Sequence, residues 1–360
     1  MKTNYLTTFL LTILTLSVFG NDGVYLSRGS AIYSTQETKI SLERENLSFT
    51  VRDKIAQVDI QFEFNNPENK ERKLLVGFQA PSAVGDVTDE TCNKILISDF
   101  RILKDGEILP YQLKAAQCAD CELKEPKEFH FSQKETGVFV YLFEVDFKPG
   151  INRINHSYSF PASNNVVFDE IYNYILTTGS KWAGRTIKDL TVQIDMGTNR
   201  YFFVHNIFGL NANWSILGTG KVTNTKFSHF EADSCRMVRV LSGKLQIEVK
   251  DFHPTKNIEF GIISENSFIN RTTDLARIQS GELLEIGQLN KDKTYSKEEL
   301  RILRNTVYAQ HGYAFKSTDL QDFFSQFEWY LPDPNLNMDQ IALTEKEKSF
   351  LDEILKKENQ

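Results

Sequence analysis

Four cysteines, Cys92, Cys118, Cys121 and Cys235, are the first residues whose type could carry chemistry. Cys118-Ala119-Asp120-Cys121 has the spacing of a redox pair or of half a metal site. A reactive pair needs its thiolate near a helix N-terminus. Here Glu122-Leu123-Lys124-Glu125-Pro126 follows, and Pro126 would stop a helix after one turn. A zinc site needs two more ligands. Cys92 and Cys235 could supply them, but their spacing matches no finger pattern. The even count favours structural disulfides in an exported chain, with three pairings open.

Other constellations point to structure first. Gly179-Ser180-Lys181-Trp182-Ala183-Gly184-Arg185-Thr186 imitates a phosphate-binding loop, with Arg185 where Lys belongs. Such a loop must lead into a helix. Ile187 to Met196 instead alternates like a strand, so a β-turn accounts for the glycines. Asp86, Asp89 and Glu90 could hold Ca²⁺, but they lack the EF-hand spacing and read as a solvated loop. His156 shares a strand face with Ile154, Tyr158 and Phe160 and reads as a hydrogen-bonded core residue. His205, His229 and His253 have no metal-ligand spacing. There is no Gly-x-Ser-x-Gly elbow and no His-Glu-x-x-His motif. No cofactor, metal or catalytic residue is assigned.

The elements that must position these residues are mostly strands. Val58, Ile60, Phe62 and Phe64 alternate with polar residues, as do Leu190, Val192, Ile194 and Met196, and Leu245, Ile247 and Val249. Each pattern puts one face on a core and one in water. Asp105-Gly106 suits a hairpin turn, and Pro149-Gly150 separates two apolar runs. Strand after strand with short turns predicts antiparallel β-sandwiches, one or two, from about residue 25 to 264. Three short helices then follow. Ser296 with Glu299, Thr318 with Gln321, and Thr344 with Glu347 each have the spacing of a capping box. Gly312 is the expected stop of the first helix.

At 360 residues the chain exceeds what one core usually supports. Residues 1–20 read as a signal peptide, with Lys2, a Leu-rich run from Leu6 to Phe19, and cleavage before Asn21. The run is shorter than the roughly 20 residues that a bilayer span needs. No later stretch is long enough, so no transmembrane span is expected after cleavage. The expected division is residues 21–163 as a β-sandwich, 164–264 as a second sandwich or its continuation, 265–292 as a connector, and 293–360 as a helical domain. The formal charge is −7, and removing Lys2 makes it one unit more negative. Affinity for nucleic acid comes from neutralising phosphates, so no nucleic-acid partner is expected.

The run Leu303-Arg304-Asn305-Thr306-Val307-Tyr308-Ala309-Gln310-His311-Gly312-Tyr313-Ala314-Phe315 resembles the signature of the YARHG domain. Leu320, Phe323, Phe324, Trp329, Tyr330 and Pro332 fit the same pattern, and the resemblance covers about residues 290–360. Gln310 stands where the family signature has Arg. The resemblance implies an exported bacterial protein and no established reaction. Within it, Arg304, Asn305, Tyr308, His311, Trp329 and Tyr330 are the candidate binding residues. For His311 the competing reading is a helix-end lock. The part before Gly197 is similar, more loosely, to uncharacterised exported bacterial β-rich proteins. The shared features are Asn21-Asp22-Gly23, Asn66-Pro67, Val76-Gly77-Phe78, and Thr178-Gly179 with Trp182 and Gly184.

These observations lead to an exported, periplasmic or extracellular, non-enzymatic protein that binds a cell-envelope component or another exported protein. A hydrolase with residues scattered over strand loops is one alternative. A glycan or small-molecule binder is another, for which Trp182 and Trp214 are the aromatics to inspect.

Overall fold

The computed structural model describes residues 28–30, 32–34, 38–81, 95–116, 138–165, 167–198, 200–209, 212–223, 235–263, 288–327 and 330–359. Residues 1–20, expected to be a signal peptide, and Asp86, Asp89, Glu90, Cys92, Cys118, Cys121, His229 and Trp329 lie outside the described residues.

The expected alternation becomes long strands. These are β1 Arg28–Ser30, β2 Ile32–Ser34, β3 Ser41–Arg52, β4 Ile55–Asn66, β5 Arg72–Pro81, β6 Ser98–Lys104, β7 Glu107–Ile108 and β8 Gln112–Ala116. They continue as β9 Val138–Phe147, β10 Gly150–Pro161, β11 Phe168–Ile175, β12 Ala183–Asp195, β13 Arg200–His205, β14 Ser215–Thr223, β15 Cys235–Phe252 and β16 Ile258–Ile263. One sheet runs β1-β11-β16-β13-β15-β12-β3-β4-β10-β6-β7, with β14 also on β15, and a second runs β2-β5-β9-β8. Among the described residues the pairings between these strands are antiparallel except β3 with β12 and β1 with β11.

The inner face of β3, β4 and β10 is covered from two directions. The four-stranded sheet packs on it through Phe64 against Phe147 at 5.6 Å and Tyr158 against Phe78 at 4.9 Å between ring centroids. The far arm of the large sheet curls back onto the same face, with Phe49 against Phe260 at 5.1 Å and Phe160 against Tyr172 at 6.2 Å. The curl is made in β15. Its first part pairs with β13 and β14, and its last part with β12. The corner lies at Ser242-Gly243 beside Gly218, where both glycines have positive φ. A Cβ on Gly243 would collide with the Leu217 carbonyl, so the close approach needs glycine. Strands from both sides of the Pro161–Asn165 stretch thus share one sheet and one apolar cluster.

Trp182 is buried between Phe64, at 4.4 Å, and Phe147, at 5.9 Å. It follows a 3₁₀ turn, Thr177–Lys181, and leads into β12, so the glycines around it serve a turn before a strand. Cys235 begins β15 as a buried thiol with no disulfide among the described residues. Burial pushes that thiol up to about 12, against a smaller opposing pull from Arg236. The other three cysteines of the expected disulfides, Cys92, Cys118 and Cys121, lie outside the described residues.

The helices are α1 Lys297–Gln310, α2 Thr318–Ser325 and α3 Glu345–Glu358. Leu300, Leu303, Val307, Leu320, Phe324, Phe350 and Ile354 share a second apolar cluster with Phe315 and Tyr330. Ser296 and Thr344 cap α1 and α3 with complete capping boxes. The third expected box does not form. Ser317 is the N-cap of α2 and makes no side-chain cap bond, because Thr318 is already helical and Gln321 Nε2 donates to the Phe315 carbonyl instead. Gly312, at φ +84°, ends α1 as expected. No helix among the described residues is long and apolar enough to cross a membrane. That says nothing of membrane crossing by strands.

Candidate functional site: a charged cavity at one sheet edge

Parallel pairing of β3 with β12 delivers the C-terminal ends of both strands to one edge. The β3–β4 hairpin turns there through Asp53 and Lys54, both at positive φ. Such a two-residue turn matches the right-handed strand twist. The chain leaving β12 turns beside it at Gly197, φ +92°. The start of β11 and the end of β16 close the other side. Between them lies a cavity of about 480 Å³ lined by residues that include Arg52, Asp53, Lys54, Glu170, Gly197, Thr198 and Arg200.

The side chains here have distinct partners. Arg52 forks onto Asp195, with Nη1 3.2 Å from Oδ1 and Nη2 3.0 Å from Oδ2. Burial would raise the Asp195 carboxyl, but the Arg52 fork and the Gly197 N–H at 2.8 Å outweigh it and hold it below the usual range. Glu170 is buried and accepts from Tyr172 Oη at 2.8 Å. A bulge between Phe168 and Glu170 sets its position. Burial first, then the Glu170 charge, keeps the Tyr172 phenol protonated far above neutrality. A Cβ on Gly197 would stand 3.8 Å from Arg52 Nη1 and 4.0 Å from Arg200 Nε, so two guanidinium groups flank this turn. Lys54 and Arg200 make no side-chain hydrogen bond or ion pair with the described residues. The cavity therefore presents unspent cationic donors beside a fixed carboxylate. That is chemistry for holding an anionic group.

None of the residues singled out from the YARHG resemblance lines this cavity. Arg304 pairs with Glu358 at 2.6 Å, joining α1 to the end of α3. Asn305 Nδ2 donates to the Arg301 carbonyl at 2.7 Å. Tyr308 packs half-buried on the helical core, and Tyr330 Oη donates to the Tyr313 carbonyl at 2.9 Å. His311 Nε2 lies 2.8 Å from Glu347 Oε1, tying the end of α1 to the start of α3. Burial would raise Glu347, yet bonds from His311 and the Thr344 N–H hold it low. The His311 ring therefore meets a carboxylate at the start of α3, a contact between helices. Trp182 is buried and Trp214 half-buried against Phe208, so neither forms an exposed aromatic platform. No group of metal-ligating side chains occurs among the described residues. Sequence reading missed the cavity residues because they meet only through pairings distant in sequence, the parallel β3–β12 pair and the β11–β16 and β13–β16 pairs among them. The lone signals were charged residues at the ends of two alternating runs.

The fold and cavity define a two-layered β-sandwich protein with a helical C-terminal domain. Residues 282–359 match the YARHG domain. Among solved structures, the chain is similar to a candidate nutrient binding protein from Legionella pneumophila. That likeness has a TM-score of 0.53 at 19% identity and covers 94% of this chain and 100% of that one. An M1 zinc metallopeptidase variant from Deinococcus radiodurans aligns at 8% identity and a TM-score of 0.22, over 64% of this chain and 43% of that one, too slight a likeness to bear on the fold. A search of curated proteins finds no match.

Proposed function

We propose that this chain is an exported, non-enzymatic binding protein that takes a small anionic solute into the cavity between the β3–β4 hairpin and the turn after β12. The observation that carries this reading is the pair of guanidinium groups at Gly197, of which Arg200 keeps its donors unspent. Arg52 is held in place by Asp195 and shapes the site, and Lys54 adds a further cationic side chain to the lining. The cavity size suits a small solute rather than a polymer. The name given to the Legionella structure, nutrient binding, lends support to a solute-binding role. The YARHG domain supports export to the periplasm or beyond.

The test is calorimetric titration of the chain beginning at Asn21 with phosphate, sulfate, and mono- and dicarboxylates, against an Arg200→Ala variant. At least one anion should bind, and the variant should weaken it at least tenfold, as expected for loss of a charge-assisted pair. Absence of binding across the panel, or equal binding by the variant, would refute the solute reading. A second reading, docking to a cell-envelope component or another exported protein, is favoured by Ile108 on edge strand β7, which is 71% exposed, with Tyr111 close behind it in sequence. Co-sedimentation with isolated envelope fractions, lost on Ile108→Lys, would support it.

A further inference from the structure

Helix α1 ends without a lysine or arginine of its own, and its C-cap residue, His311, turns its ring to Glu347. Its last turn contains no basic residue, and Gln310 occupies the position where the YARHG signature carries Arg. The final carbonyls of a helix lack intrahelical partners and stand at the negative end of its dipole. A basic side chain can bond such carbonyls in addition to the glycine stop, which Gly312 supplies here. In this chain one arrives from the sandwich. Arg239 of β15 donates from Nη2 to the Gln310 carbonyl at 2.9 Å. The residue is only 4% exposed, and its guanidinium lies 4.3 Å from the ring centroid of Tyr201, its direct partner across the β13–β15 ladder. Two residues further along β15, the Leu241 methyls sit 3.6 and 3.7 Å from where a Gly312 Cβ would be. A buried arginine between an aromatic face and a helix carboxyl end is held on both sides.

We propose that the Gln310-His311-Gly312 turn of the helical domain is a docking element for this chain's own β15, with Arg239 supplying the charge that the helix end lacks and Leu241 covering Gly312. The contact uses the main-chain carbonyl of residue 310, so it does not depend on which side chain stands there. His311 faces the other way, into its pair with Glu347. The signature turn thus joins the helical domain to the sandwich, and the face it presents there is closed to outside partners.

The test is small-angle X-ray scattering on the full mature chain, with hydroxyl-radical footprinting of Leu241. Arg239→Met keeps the apolar stem and removes the donor. It should enlarge the maximum dimension and raise Leu241 oxidation severalfold. Gln310→Ala, which keeps the carbonyl, should superimpose on the wild type. Leu241→Ser removes the apolar cover at a half-exposed position, and it should open the particle even if Arg239→Met fails to fold. Scattering of Leu241→Ser indistinguishable from wild type would overturn the proposal. So would an opening produced by Gln310→Ala, since the side chain would then be the anchor. Neither result touches the solute reading, whose cavity lies at the β3–β12 edge.

Discussion

Replacing Glu45 by Gln should uncover a pH dependence of stability that the native chain conceals. Glu45 lies on the core face of β3 and is fully buried. Its Oε1 accepts from Tyr174 Oη at 2.9 Å, while Oε2 has no hydrogen-bond partner. Burial raises its carboxyl from 4.5 to about 7, against a smaller pull from Tyr174. His156 is buried on β10, where Nδ1 lies 2.8 Å from the Arg101 carbonyl and must therefore carry the proton. Nε2 has no partner, and burial lowers the ring from 6.5 to about 4. Each shift corresponds to about 3 kcal/mol at about 1.4 kcal/mol per unit. The signs oppose. Folded Glu45 keeps a proton that the unfolded chain releases, so its contribution is present at low pH and lost as pH rises through about 7. Folded His156 refuses a proton that the unfolded chain accepts. Its contribution is present above 6.5 and lost as pH falls through about 4. Between pH 4.5 and 6.5 the two nearly cancel. In Glu45→Gln, stability relative to wild type should therefore climb by about 3 kcal/mol between pH 4.5 and 7. In His156→Phe, stability relative to wild type should drop by a similar amount between pH 4 and 6.5. Urea unfolding at half-unit pH steps measures both. Parallel wild-type and variant curves would refute the assignment of these two buried groups.

Three further outcomes follow from packing and capping. Trp182→Ala removes the ring between Phe64 and Phe147 and should lower stability by about 3–5 kcal/mol in urea unfolding. His311→Ala leaves Glu347 without its inter-helix partner and should cost about 1–2 kcal/mol in thermal unfolding. Because Glu347 is held low, the stability it contributes is present above its unfolded value and fades as pH falls through its folded one, so the cost should shrink in acid. Gly243→Ala forces a Cβ into the Leu217 carbonyl at the β15 corner, and circular dichroism should report loss of cooperative β structure where Gly106→Ala, with open space around it, costs far less.

Much of the local structure was legible from residue order. Val58, Ile60, Phe62 and Phe64 turn inward on β4 as their alternation predicts, and Ser296 with Glu299 caps α1. The run from Leu303 to Phe315 declared the YARHG domain, and Asp105-Gly106 makes the hairpin between β6 and β7. The Thr318–Gln321 spacing misled by one residue because Gln321 found a tertiary partner in the Phe315 carbonyl. Spacing cannot weigh that competition.

What residue order determined by itself was therefore whatever is set within a few residues: strand period, turn chemistry, caps and the signature run. Tertiary structure alone decided the pairing of β3 with β12, separated by more than a hundred residues, and the turn of β15 from one layer to the other. Those two choices bring Arg52, Glu170 and Arg200 around one cavity and bring Arg239 to the end of α1. The physical reason is that such contacts are fixed by which complementary faces can close one core, a property of the whole chain that no local window contains.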